Sequence, residues 1–337
     1  MKVKNIFNAL AAALIGMAAV CSCDNYLGID DDRDDCGYDF NITYRVNLDT
    51  NKDEEISNKL YAPADAFVRA ALQSEWNNIF RAYSKDLNLS FYKMTEDVLD
   101  KQETYNDFDS NEKSYTIFLD NKKYRHLALG NTGQETAVTT TVGDNSTSSK
   151  LQSKGGLSME NQHVGLFTGR ADLEAGVTKD NNYIVNLYQA NSSAALVLDT
   201  IDAQIVSVRM ELEGMASTFN IADSTYTYND ASIVEGRQLN ISAADNYRLC
   251  YYAVSFPSHD KAQSTDEPVW RMNVYVELPD GTTTKNELKV YSRLRAGYVK
   301  IIKAKVYPDG ALEITDADIG ASVMLDWKEG GTYNPQF

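Results

Sequence analysis

Trp270, Met272, Val274, Val276 and Leu278 occupy every second position of one stretch, and Arg271, Asn273, Tyr275 and Glu277 fill the gaps. A period of two sends successive side chains to opposite faces of an extended chain, so this segment has one face to bury and one to show to water. It stops at Pro279-Asp280-Gly281, where a fixed proline φ and a permissive glycine favour a turn. The pattern recurs. Val206, Val208, Met210 and Leu212 alternate with Ser207, Arg209 and Glu211, and Ile302, Ala304 and Val306 alternate with Lys303, Lys305 and Tyr307 before Pro308-Asp309-Gly310. Phe40 to Leu48 alternates as well. Leu87–Tyr92, Ser114–Leu119, Tyr124–Leu129 and Tyr183–Gln189 add strand signals, and a second series begins near Ala195. Short alternating strands separated by such turns predict a mostly β chain of antiparallel sandwiches.

One segment has another period. Pro63 opens it, and Leu72, Trp76, Ile79, Phe80 and Tyr83 recur at helical spacing, which predicts one amphipathic helix over 63–83 packed on a sheet. Thr132 to Gly156 is rich in Thr, Ser, Gly and Asn and reads as a long loop or an exposed hairpin. No repeat of fixed short period is evident. Length suggests two domains after the leader, at 36–194 and 195–337, with the helix in the first.

The chain starts with Lys2 and Lys4 and an apolar run from Ala9 to Val20. About 12 helical residues span roughly 18 Å, short of the roughly 30 Å hydrocarbon core, so the run is an export signal rather than a membrane span. Val20-Cys21-Ser22-Cys23 follows it in the order of a bacterial lipobox. Cleavage before Cys23 makes 1–22 the signal peptide and Cys23 the lipidated (palmitate-bearing) first residue. Cys21 competes, but Val20 before it is bulkier than the small residue such a site requires, whereas Ser22 fits. The alternative is an ordinary cleaved signal with incidental cysteines. Each buried methylene of a lipid anchor contributes about 0.8 kcal/mol.

Residues 23–35 form an acidic tether, ending in Asp30-Asp31-Asp32-Arg33-Asp34-Asp35. Like charges repel and keep it extended. It resembles the surface-export signal of Bacteroidetes lipoproteins, with a plain solvated linker as the alternative. The whole chain carries −16, and loss of Lys2 and Lys4 with the leader leaves −18. Such a chain is repelled by phosphate backbones, which argues against a nucleic-acid partner. After cleavage and lipidation, Cys36 and Cys250 remain, an even pair in an oxidising compartment. They form either a disulfide or two buried free thiols.

Catalytic patterns are missing from the sequence. His126, His163 and His259 lie far apart in sequence and in no metal-ligand spacing, and His126 falls in an expected strand as a structural residue. Gly156-Leu157-Ser158-Met159-Glu160 lacks the closing glycine of a nucleophile elbow, and there is neither a P-loop nor a dinucleotide fingerprint. Asp49-Thr50-Asn51-Lys52-Asp53 begins like a calcium loop, but Glu54 stands where the turn needs glycine and Leu60 where the bidentate glutamate belongs, so it reads as an acidic loop. The expectation is a chain that is no enzyme, with no catalytic residue, metal or cofactor. Tyr226, Tyr228, Tyr251, Tyr252, Tyr291 and Tyr298 suit cross-strand packing, and could alternatively stack on sugars. Asp199-Thr200-Ile201 and Asp223-Ser224-Thr225 resemble the O-glycosylation signal of exported Bacteroidetes proteins, with Thr200 and Ser224 as acceptors.

Several stretches occur in a familiar order. They are the lipobox, Cys36-Gly37-Tyr38, Ala64-Asp65-Ala66-Phe67 at the helix entry, Leu87–Lys93, Tyr124–Asn131 and Leu325-Asp326-Trp327-Lys328-Glu329-Gly330. In that order the chain resembles the fimbrillin-anchoring (FimB/Mfa-type) lipoproteins of Bacteroidetes, over most of its mature length. The Tyr124–Asn131 stretch departs from the more usual aromatic-containing version. The resemblance implies two transthyretin-like β-sandwich domains and a lipid-anchored place on the outer membrane at the cell surface. It also implies a role in cell adhesion through a fimbrium (pilus), with fimbrillin or other pilus subunits as partners joined by strand complementation. A surface glycan-binding lipoprotein is the competing reading, and a secreted hydrolase a weaker one.

Overall fold

The computed structural model describes residues 37–174, 181–200, 204–241, 248–262, 267–315 and the backbone of 323–325. The signal sequence, Cys23, the acidic tether and Cys36 lie outside the described residues.

In chain order the elements begin with β1 (Tyr38–Asn47), α1 (Lys52–Lys59), a 3-10 turn at Pro63–Asp65, α2 (Ala66–Ile79), β2 (Leu87–Lys93), β3 (Val98–Tyr105), β4 (Glu112–Leu119) and β5 (Lys123–Gly130). Next come β6 (Val138–Thr141), β7 (Lys150–Ser153), β8 (Ser158–Met159), β9 (Phe167–Glu174), β10 (Asn182–Gln189), β11 (Ser192–Asp199), β12 (Ser207–Glu213) and β13 (Ala216–Asn220). The rest are β14 (Thr225–Tyr228), β15 (Ile233–Glu235), β16 (Arg237–Gln238), β17 (Arg248–Ser255), β18 (Trp270–Glu277), β19 (Thr283–Val290), β20 (Val299–Val306), β21 (Leu312–Ile314) and β22 (Val323–Leu325).

The first sheet has seven strands in the order β3-β2-β5-β9-β10-β1-β4. It folds over one core of Phe40, Ile42, Tyr44, Leu89, Phe91, Tyr124, Phe167 and Leu187, so its two ends face each other as the leaves of a sandwich. A five-stranded sheet (β16-β17-β11-β20-β21) and a six-stranded sheet (β22-β19-β18-β12-β15-β8) enclose a second core built on Leu196, Met210, Trp270, Met272, Val274 and Ile302. The alternating run from Trp270 is β18, with Trp270, Met272, Val274 and Val276 buried. A small four-stranded sheet (β14-β13-β7-β6) lies over the outer side of β2 and β5, where Phe219, Leu151 and Val138 meet Tyr92, Leu127 and Leu129. The Thr- and Ser-rich segment is therefore a hairpin, β6–β7, whose inner side is covered.

Two departures matter for the architecture. The helix encoded in the first half does not pack on the first sheet. Val68, Leu72, Trp76 and Ile79, one stripe of α2, lie against Ala195, Val197, Tyr252, Val254 and Ile301 of the five-stranded sheet. The Trp76 indole N–H donates to Ser193 Oγ at 3.1 Å. Asp65, buried at the start of α2, pairs with Lys303 Nζ at 2.8 Å and Arg248 Nε at 3.5 Å, on β20 and β17. The helix thus stitches the first half of the chain to the second.

The second is a topological repeat. β1 lies between β10, to which it is parallel, and β4, to which it is antiparallel. β11 lies in the same way between β20, parallel, and β17, antiparallel. Each half of the chain opens on a strand that returns beside a late strand of that half. β11 starts at Ser192, a little before the expected boundary at 195, and belongs wholly to the five-stranded sheet.

Candidate functional site

The slot filled by β1 brings together what the sequence signalled separately. Alternation in β1 points Phe40, Ile42, Tyr44 and Val46 into the core, all at most 5% exposed. Phe40 stacks on Tyr183 of β10 with ring centroids 6.0 Å apart. The Tyr44 hydroxyl lies 2.9 Å from His126 Nε2 on β5, and Phe91 of β2 stacks on the imidazole at 4.2 Å. His126 Nδ1 lies 3.0 Å from the Ser90 carbonyl, so Nδ1–H donates there and Nε2 accepts from Tyr44. Burial drives the His126 pKa down to about 4, and burial first, then Tyr105, Glu103 and Tyr115, raises that of Tyr44 well above its ordinary value. The pair is neutral at physiological pH, a hydrogen-bonded bridge between leaves rather than an acid–base couple.

The outward face of β1 is polar and paired rung by rung. Asn41 Oδ1 accepts from Thr116 Oγ1 at 2.8 Å, Thr43 Oγ1 meets Ser114 Oγ at 2.7 Å, Arg45 Nε donates to Glu112 at 2.5 Å, and Asn47 Nδ2 donates to Asn186 Oδ1 at 2.7 Å. β1 is thus a separable insert: an N-terminal strand with an apolar underside, a polar top and main-chain partners on both edges. Beyond it, β4 is the outer strand of the sheet. Val46 N–H donates to the Asn111 carbonyl, so the alternate residues Ser114, Thr116 and Phe118 turn their main chain away from β1, and the Phe118 carbonyl accepts from Lys101 Nζ at 3.1 Å.

The structure distributes the other sequence candidates. Cys250 is a free, fully buried thiol on β17, its pKa pushed up to about 12 by burial. Thr200 follows β11 directly, half-buried. Ser224 is exposed at the β13–β14 turn with φ +58°, beside Asp223, whose carboxylate accepts from Thr225 N–H at 3.0 Å. Asp49 accepts from the Tyr298 hydroxyl at 3.2 Å, and the chain turns into α1 at Lys52. His163 and the buried Glu135 meet at 3.2 Å, with the His163 and Val164 amides on the same carboxylate, and Arg237 donates to the other ring nitrogen. Sequence spacing gave no sign of this clamp, because its members are 28 and 74 residues apart. No cluster of three or more metal-ligating side chains occurs among the described residues.

A scan against protein-family models finds no match, and a search of curated proteins finds none. Solved structures do match. A Bacteroides ovatus protein described as a candidate adhesin superposes with a TM-score of 0.52 at 11% identity, covering 87% of this chain and 97% of that one. A Bacteroides thetaiotaomicron protein described as a candidate polysaccharide binder gives 0.49 at 8% identity, over 86% and 99%. The fimbrial anchor protein Mfa2 of Porphyromonas gingivalis gives 0.47 at 11% identity, over 85% and 99%. At such identities the likeness is one of fold, and it rests on the Bacteroides ovatus structure.

Proposed function

We propose that this chain is a surface lipoprotein that anchors or assembles a fimbria by β-strand complementation, held to the outer membrane through Cys23. The observation that carries the proposal is the β1 slot. It is a groove with two main-chain edges and an apolar floor, filled by the segment that follows the tether. Its main-chain edges supply affinity for any extended strand, while the pockets now holding Phe40, Ile42 and Tyr44 set its register. The order of motifs in the sequence and the adhesin-type fold of the Bacteroides ovatus structure support the same reading. The chemistry is assembly rather than turnover.

Position in the pilus follows from where the mature chain begins. A cut after Arg33 would free the chain from its lipid but leave β1, which starts at Tyr38, in place. A cut after Arg45 would carry away Phe40, Ile42 and Tyr44 and open the slot. An anchor keeps both, so N-terminal sequencing of protein from native envelopes should give Cys23 as the first residue. A start at Asp34 or Val46 would sink the anchor reading.

A further inference from the structure

The first sheet has a second opening, which β1 does not fill. β9 and β10 are in register only at Tyr188↔Thr168 and Gln189↔Phe167. Beyond that point β9 stays registered with β5 as far as Glu174, and β10 with β1 back to Asn182, but not with each other. Gly169 sits where they part; a Cβ there would lie 2.7 Å from the Asn186 carbonyl oxygen. The Asn181 carbonyl serves Asn41 of β1 at 3.0 Å, so odd-numbered residues of β10 face β1, and Ile184 and Asn186 turn their main chain toward β9. By the same alternation from Thr168, Arg170 and Asp172 turn theirs toward β10. The far end is closed by Tyr183, whose hydroxyl accepts from Glu174 N–H at 3.0 Å and donates to its carbonyl at 2.8 Å.

Over the outer side of β9 and β10, beside the β13–β14 hairpin, lies a cleft of about 490 Å³. Ile184 and Tyr188 present their side chains at its mouth, 58% and 56% exposed. The β13–β14 hairpin forms the opposite wall. Arg170 reaches across to the Ala222 carbonyl and makes no ion pair among the described residues, unusual in a chain with a net charge of −16. Tyr226 offers no stacking platform. Its hydroxyl is committed to the Ala190 carbonyl at 2.8 Å and its ring packs on Phe219 and Phe256.

We propose that this seam is a second strand-accepting site, which takes a short extended peptide carrying an acidic side chain for Arg170 and an apolar one for Ile184 and Tyr188. Where β9 and β10 have parted, the main chain of Ile184 has no ladder partner on the β9 side among the described residues, and an extended peptide in the cleft can pair with it. The site stands apart from the β1 slot, and its test does not depend on how that slot is used.

Random heptapeptides displayed on phage are panned on the full mature chain, and enriched sequences are synthesised and titrated onto wild type, Ile184→Lys and Arg170→Glu. Enriched peptides should alternate apolar and polar residues around one Asp or Glu. They should bind each variant at least tenfold more weakly and slow amide exchange at Ile184 and Asn186. The exposed Ile184 can be replaced without touching the core, so that variant and the exchange data decide the matter even if Arg170→Glu folds poorly. The proposal is overturned if no peptide is enriched, if enriched peptides bind Ile184→Lys as tightly as wild type, or if oligosaccharides on a glycan array bind at Ile184 while peptides do not.

Discussion

A chain that begins at Val46 should lose its first sandwich. The truncation removes Phe40, Ile42 and Tyr44, each with no exposed surface. Full burial of such a side chain contributes about 1.5–3 kcal/mol, so the three together contribute roughly 5–9 kcal/mol. His126 would also lose the hydroxyl that satisfies Nε2, a further cost of about 1–3 kcal/mol. The whole stability of a domain is about 5–15 kcal/mol, so the loss is of the same size as the total. The assay compares a chain beginning at Asp24 with one beginning at Val46, by urea-dependent pulse proteolysis, with hydrogen exchange to locate the unfolded region. Residues 87–130 should become protease-sensitive, while β18 and its neighbours keep their protection. A synthetic peptide of residues 37–46 added in trans should restore resistance, and the same peptide with Ile42→Asp and Tyr44→Asp should not. A truncated chain within about 2 kcal/mol of the intact one, or rescue by the doubly charged peptide, would refute the slot argument.

Other expectations follow from single contacts. The His126 pKa is lowered in the folded state, so its contribution is fully present above the unfolded value near 6.5 and is lost as pH falls from there to about 4; this costs about 3 kcal/mol, and His126→Phe paired with Tyr44→Phe should flatten that limb of the stability–pH curve. Asp65→Ala removes the buried carboxylate that Lys303 and Arg248 share and should destabilise by about 3 kcal/mol in urea titrations, whereas a loss below about 0.5 kcal/mol would mean that solvent already screens the cluster. Cys250 should resist iodoacetamide at pH 8 in the folded chain and react once urea unfolds it, because its thiol is both buried and kept protonated; fast labelling of native protein would contradict its placement. Leu72→Ala should cost about 2–5 kcal/mol and expose the five-stranded sheet rather than the first, which limited proteolysis can tell apart.

Period-two alternation was legible wherever one strand face met core and the other water, as in β1, β12, β18 and β20. It failed at both extremes. Every residue from Ser192 to Leu198 in β11 is buried, so no contrast exists to read. Val98 to Tyr105 has no fully buried residue, and Asp-Lys-Gln-Glu-Thr in its middle hides a strand paired on one side only. The helix was legible in Leu72, Trp76 and Ile79, but its partner was not, because a hydrophobic stripe does not say which sheet it faces. α1 is not legible because it carries almost no apolar contrast: only Ile56 and the stems of Lys52 and Lys59 are buried in it, and Asp49 to Asp53, which runs into it, has the composition of a metal-like loop. Phe40, Ile42 and Tyr44 could be read as core. That they share a removable strand depends on the parallel pairing with β10, a relation across about 140 residues that local pattern does not carry.

That same distance puts the slot under the control of time. A chain emerging from its N-terminus exposes β1 long before β10 exists to receive it, and pairings of such long sequence separation form slowly. Through that interval Phe40, Ile42 and Tyr44 remain unburied, and whichever strand reaches the half-made groove first can occupy it. β11 waits for β20 under the same rule, with about 106 residues between the paired positions. Occupancy of each groove is therefore a race between an internal strand with the advantage of tethering and any outside strand present at high enough local concentration. As long as β1 stays uncut, the outcome is set while the protein folds.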